Sequence, residues 1–158
     1  MELLRPLSWV TQHQLRAGAD LALHLPELEF TGHGRVTAIE HCPPIAEGAG
    51  SVVTGRIVTY NANELVEVTF NGGVTLTGTA NHPVWSVDRL DWVGLGDLEA
   101  GEQVAARNGV AVVERLQTFE TFEPVYNLET FGEHVYEITA LGILVHNTDP
   151  GCVWHKFD

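Results

Sequence analysis

The chain has 158 residues, 44% of them hydrophobic and 18% charged, which are values of one globular domain and not of a disordered chain. Eight Lys and Arg against 21 Asp and Glu leave a net charge of −13, which repels phosphate backbones and anionic lipid and so speaks against nucleic-acid and membrane-surface partners. Two cysteines, Cys42 and Cys152, are too few for a disulfide framework. No apolar run approaches the ~20 residues of a membrane span. Met1 to Arg16 lacks a basic stretch followed by an apolar one, so no signal peptide is read there. The expected location is cytoplasmic unless the chain is exported within a larger protein.

In chain order the elements are almost all strands. One short helix is expected around Ser8–Leu15. Leu21–Leu25 alternates with period two, and Thr31-Gly32-His33-Gly34 reads as a turn into a strand over Arg35–Glu40. Pro43–Gly50 is a loop of Pro, Gly and small residues. Strands follow over Ser51–Tyr60, Leu65–Phe70, Val74–Thr79, Val110–Leu116, Val125–Glu129 and Val135–Thr139, each rich in Val, Thr, Ile, Tyr or Phe. Asn71-Gly72-Gly73 and Asn108-Gly109 carry the Asn-Gly pair of two-residue hairpin turns. The last apolar run, Gly142 to Val145, gives way after Asn147 to a turn-like tail. The fold class is therefore all-β.

The two halves echo one another. Leu15–Leu21 resembles Leu98–Val104, Gly34–Glu40 resembles Gly109–Glu114, and Leu65–Asn71 resembles Val125–Phe131. The order is kept while the offset falls from 83 to 75 to 60 residues, so the first half carries extra residues, placed here in Cys42–Gly55. Two copies are too few for a solenoid. A duplicated β-unit closed about a pseudo-two-fold axis fits, because closure removes exposed strand edges.

The residues able to carry chemistry are histidines and an asparagine. His146-Asn147 ends the final strand. An Asn side-chain amide can attack its own main-chain carbonyl, forming a succinimide and cutting the chain after itself. That reaction needs a donor to the carbonyl, a proton for the leaving amine and a base near the amide, tasks suited to histidine. His146 is adjacent, and an antiparallel hairpin can return His134 to the same place. Thr79 and His82, three apart at another strand end, can converge on one backbone amide; a turn or capping role for Thr79 and Asn81 is the plainer alternative. His24, His33, His41, His82, His134, His146 and Cys42 are potential metal ligands, but no pair has a close ligand spacing, so no metal or other cofactor is expected. No G-x-S-x-G elbow occurs, and Trp9, Trp85, Trp92 and Trp154 have no basic neighbours to make a stacking platform.

Together these segments resemble the Hint superfamily: inteins, hedgehog autoprocessing domains, and above all the pretoxin Hint domains of bacterial polymorphic toxins. The resemblance runs from about Val58 to Asn147. It is carried by Leu65–Val68, Thr79–Trp85, Trp92–Glu102, Val125–Glu129, and then Gly132–Tyr136 and Gly142–Asn147. It implies a compact β disc with pseudo-two-fold related halves, spanning residues 1–147 with 1–57 divergent and 148–158 a tail. Thr79 and His82 match the family's T-x-x-H motif, which activates the N-terminal scissile peptide. His134 matches the assisting histidine, and His146 and Asn147 the penultimate histidine and cyclising asparagine. Thr148 sits where inteins carry a second nucleophile. The implied substrate is the chain's own polypeptide, and flanking toxin or delivery segments are the implied partners.

The family normally begins with a nucleophilic Cys or Ser, and nothing near Met1 matches. The nearest hydroxyl is Ser8, and Cys42 reads as a small buried apolar side chain. An N–S acyl shift is therefore not expected within this chain; the element is either lost or on another segment. The expected activity is single-turnover cleavage after Asn147 that frees a C-terminal effector. The alternatives are an inactive Hint-fold scaffold or interaction module, to which the short tail points, and half of a split processing domain.

Overall fold

The computed structural model describes residues 1–25, 30–45, 47–48, 50–60, 62–132 and 134–147. A short β1 (Glu2–Leu3) leads to helix α1 (Leu7–Gln12) and the hairpin β2 (Asp20–Leu25) and β3 (Phe30–Arg35). Then come β4 (Val53–Thr59), β5 (Glu64–Phe70), β6 (Val74–Gly78), β7 (Pro83–Ser86) and β8 (Asp91–Gly94), followed by a 3-10 turn (Leu95–Asp97). The chain continues through β9 (Gln103–Ala106), the long β10 (Gly109–Glu120), β11 (Val125–Thr130), β12 (Val135–Ile138) and β13 (Ile143–His146). β12-β13-β7-β9-β10-β5-β6 form the main sheet, with β8 paired to β7. β1-β4-β11 form a second sheet, and β2-β3 pair with each other. No helix among the described residues is long and apolar enough to cross a membrane.

Burial explains the strands. β5 buries Leu65, Val66, Val68 and Phe70, and the last three meet Val84, Leu95, Val104, Val113, Ile143 and Val145 in one core. A fully buried side chain of that size is worth about 1.5–3 kcal/mol. One carboxylate is buried with them: Glu102 accepts from Ser86 Oγ at 2.6 Å, Arg89 Nη2 at 2.8 Å and the Glu99 amide at 2.9 Å. Burial alone would raise its pKa, but those donors outweigh burial and hold it below the ordinary carboxylate value.

The duplication is a property of the backbone. Leu65 pairs with Phe119, and sixty residues on Val125 pairs with Thr59; every pair of the β10–β5 ladder from Leu65 to Phe70 has its counterpart in the β11–β4 ladder. Both ladders carry a bulge at the same place, with Glu114 the extra residue on β10 and Thr54 on β4. β7 and β13 are likewise sixty residues apart at both ends. Val84 pairs with Val145, which puts the pseudo-two-fold axis between these two strands. The hairpin corners match too: Gly18 donates to the Val36 carbonyl as Gly101 does to Val113, both at 2.7 Å. Their φ values of 86° and 90° lie where only glycine is comfortable.

Several sequence expectations need correction. Thr31–Gly34 is not a turn but lies within β3, and the strand expected over Arg35–Glu40 ends at Arg35. His24 pairs with Thr31, so the ladder continues where glycines suggested a break. Val36 therefore matches Val113, two residues from the echo read in sequence. The extra residues lie between β3 and β4, whose counterparts are one continuous strand, β10. Ala106 pairs with Gly109, so Arg107-Asn108 make the two-residue turn, and Asn71–Gly73 make a three-residue one. Cys42 is exposed, not buried: it lies between β3 and β4, followed by Pro43-Pro44. Residues 148–158, including Thr148, Cys152 and Trp154, lie outside the described residues.

Candidate functional site

The site arises where the duplication breaks. In the first half β6 pairs with β5 along its whole length, Val66 with Gly78 through Phe70 with Val74. Among the described residues, no such ladder joins their counterparts β11 and β12. β12 pairs instead with β13, Val135 opposite His146. Side chains bridge the separation between β11 and β12.

Asn147 is at the centre of that bridge and is 1% exposed. Its amide N–H donates to the His134 carbonyl at 2.9 Å, continuing the β12–β13 register by one pair. Its side-chain Nδ2 donates to the Leu128 carbonyl on β11 at 3.1 Å. Its own carbonyl oxygen accepts Nδ2 of Asn127 at 3.2 Å. The other end of Asn127 is fixed as well: Oδ1 accepts the Leu128 amide at 2.9 Å and the Tyr136 hydroxyl at 3.2 Å. Two donors on Oδ1 leave Nδ2 to face Asn147, so the amide orientation follows from the network. Burial pushes the Tyr136 phenol above its ordinary pKa despite a main-chain hydrogen bond at Leu128, so it is a neutral donor at neutral pH.

The histidines gather on the same end. The His134 and His146 rings are stacked with centroids 6.1 Å apart. His146 meets Trp92 of β8 edge-on at 4.8 Å, and Trp92 in turn meets Trp85 at 5.3 Å. His82 lies one residue before β7; burial, and then repulsion from His146, lower its pKa. His82 is thus neutral at neutral pH and able to accept a proton. Thr79 joins through the turn it makes with His82, whose amide donates to the Thr79 carbonyl at 3.0 Å.

That turn rests on backbone. Gly96 donates to the Ala80 carbonyl at 2.8 Å and Leu95 to the His82 carbonyl at 3.0 Å. A Cβ on Gly94 would stand 2.7 Å from the Ala80 carbonyl oxygen, and one on Gly96 2.9 Å from Ala80 Cβ. Glycine is needed here for close approach.

Of the five expected site residues, His134, His146 and Asn147 are in one cluster, His82 is coupled to it by charge, and Thr79 is held beside His82. Asn127, Tyr136 and Trp92 were not singled out from sequence. Asn127 had a signal: an Asn within a run of β formers is out of place in a strand unless its side chain has work. Among the described residues no group of three or more His, Cys, Asp or Glu side chains is placed to hold a metal.

No protein-family model and no curated protein matches the sequence. Solved structures do match. The solution structure of a bacterial intein-like domain from Clostridium thermocellum is 25% identical, with a TM-score of 0.55 over 83% of each chain. The Mvu mini-intein of transcription factor IIB is 16% identical, with a TM-score of 0.53 over 61% of this chain and 63% of that one. The MchDnaB-1 intein is 17% identical, with a TM-score of 0.52 over 61% of this chain and 74% of that one. The all-β fold with its pseudo-two-fold halves is the intein-like, or Hint, fold.

Proposed function

We propose that this chain is an intein-like self-processing domain that cleaves its own backbone after Asn147 by asparagine cyclisation. The observation that carries the reading is the double grip of β11 on Asn147, with Asn127 on its carbonyl oxygen and Leu128 on its side-chain nitrogen. Nδ2 attacks the Asn147 carbonyl carbon and loses a proton, the bond to Thr148 breaks, and the Thr148 nitrogen leaves as an amine after gaining a proton. The products are a C-terminal succinimide and a new N-terminus. Asn127 Nδ2 stabilises the oxygen as charge develops on it. His134 and His146 lie beside the asparagine to move the protons, and neutral His82 is a further acceptor.

In its parent protein the cleavage would free a C-terminal effector, as in the pretoxin Hint domains that the segments resemble. Thr79 and His82 match the motif that, in the family these segments resemble, activates an N-terminal scissile peptide.

Mass spectrometry of purified protein over days tests the proposal. A species ending at Asn147, together with the Thr148–Asp158 peptide, is expected, and Asn147→Ala abolishes both. An intact chain at every pH between 5 and 9 (pH values of the assay) would sink it. Ordinary deamidation at Asn71-Gly72 and Asn108-Gly109 supplies an internal clock of unassisted succinimide chemistry.

A further inference from the structure

β11 does three things with three consecutive residues. Asn127 holds the Asn147 carbonyl and Leu128 the Asn147 side chain, at 3.2 and 3.1 Å. Glu129 points away from that pair of contacts to the N-terminal stretch. Arg5 reaches it with both ends of its guanidinium, Nη1 to Oε1 at 2.8 Å and Nη2 to Oε2 at 3.0 Å. Thr54, the extra residue of the β4 bulge, adds its hydroxyl to Oε1 at 2.6 Å. Arg5 Nη1 also donates to the Thr54 carbonyl at 3.1 Å, and the Leu4 amide donates to the same oxygen at 2.8 Å. The side chains of Arg5 and Glu129 are only 17% and 9% exposed. A fork of this kind, shielded from water, fixes geometry as well as charge.

We propose that Arg5 and Glu129 are positioning residues for the Asn147 reaction, tying the N-terminal stretch to the strand that grips the asparagine. The inference rests on the cleavage reading above. Without Arg5 the buried Glu129 carboxylate keeps the Thr54 hydroxyl but loses its countercharge. Either β11 moves to reach water or Glu129 turns to His134, the neighbour with which its carboxylate already interacts. Both outcomes disturb the group around Asn147, because Glu129 follows Asn127 and Leu128 directly on β11.

The test compares Arg5→Ala, Arg5→Lys and Glu129→Gln in the full chain. Cleavage after Asn147 is expected to slow about tenfold or more in Arg5→Ala, since a misplacement of about an ångström at a reacting centre costs up to roughly 10²-fold. Millimolar methylguanidinium restores it, and Arg5→Lys, folded by circular dichroism, falls between. A separate reading comes from the side-chain amide signals of Asn127 and Asn147 by NMR. These are expected to shift in Arg5→Ala whether or not the wild-type chain cleaves, which separates failure of this inference from failure of the cleavage reading. Unchanged cleavage in Arg5→Ala, a slowed variant that methylguanidinium leaves slow, or amide signals coincident with wild type would each overturn it.

Discussion

Asn127 donates its side-chain Nδ2 to the main-chain carbonyl oxygen of Asn147 across 3.2 Å, twenty residues away in sequence and on a strand that shares no ladder with that of Asn147 among the described residues. The donor is aimed at the oxygen that gains charge if the asparagine cyclises. Its aim is set beforehand by the Leu128 amide and Tyr136 hydroxyl. Removing one such preorganised donor costs roughly 10²–10³ in rate elsewhere. Asn127→Ala is therefore expected to slow cleavage after Asn147 by that order, measured as appearance of the Thr148–Asp158 peptide. Tyr136→Phe removes only the support for the donor and is expected to cost less. An Asn127→Ala chain cleaving at the wild-type rate would show that the contact is structural.

His82 makes stability depend on pH in a direction that can be worked out. Its folded-state pKa lies below the ordinary value of ~6.5, because burial and then the charge of His146 disfavour the imidazolium. The unfolded chain thus binds a proton at His82 before the folded one does. Stability from this group is complete above about pH 6.5, falls as pH drops below it, and levels off below the folded pKa. Urea unfolding between pH 7.5 and 5 (conditions of the experiment) should show this decline. His82→Gln should flatten it relative to wild type; an equal slope in both proteins would assign the decline to other groups.

How much of this could be read from the sequence follows from what strand pairing makes local. Hydrophobic alternation located β5 and β11, and the His146-Asn147 pair was visible because its chemistry needs adjacent residues. The grip of Asn127 on Asn147 was not legible, since it depends on β11 and β12 parting where β5 and β6 stay paired. Only three-dimensional register distinguishes those cases. The short strands β7, β8 and β9, four residues each, had too few residues to show a period. Gly32 and Gly34 misled in the other direction. They read as a turn, yet they are strand residues, with Phe30 and Leu23 packed over the space a Cβ would take.

The T-x-x-H turn is predicted to depend on two glycines outside it. A methyl on Gly94 would meet the Ala80 carbonyl oxygen at 2.7 Å, and one on Gly96 would meet Ala80 Cβ at 2.9 Å. Backbone cannot swing aside as a side chain can, so overpacking should cost about 1–3 kcal/mol. Gly94→Ala and Gly96→Ala are expected to lower the urea midpoint by that amount and to broaden or shift the His82 ring signals. Gly48→Ala is the control, with nothing within 4 Å of its added methyl. Equal stability of all three variants would refute the turn's reliance on these contacts.

Thr139 offers a change in the opposite direction. It opens the β12–β13 turn with a φ of 66°, in the left-handed region that a β-branched side chain tolerates poorly. Its hydroxyl oxygen is also buried, with no hydrogen-bond partner among the described residues. Its counterpart in the first half, Thr79, is not among the residues with positive φ. Replacing Thr139 with glycine removes roughly 1–2 kcal/mol of local strain and an unpaired hydroxyl, against about 0.5–1 kcal/mol of added chain entropy. Thr139→Gly is therefore expected to stabilise the fold by about 1 kcal/mol in urea unfolding, and Thr79→Gly to destabilise it. The turn joins the strand paired with His146 to the strand that carries it, so a better-relaxed turn should leave the register of Val135 with His146 intact. Loss of stability in Thr139→Gly would mean that the threonine side chain, and not its backbone, holds the turn.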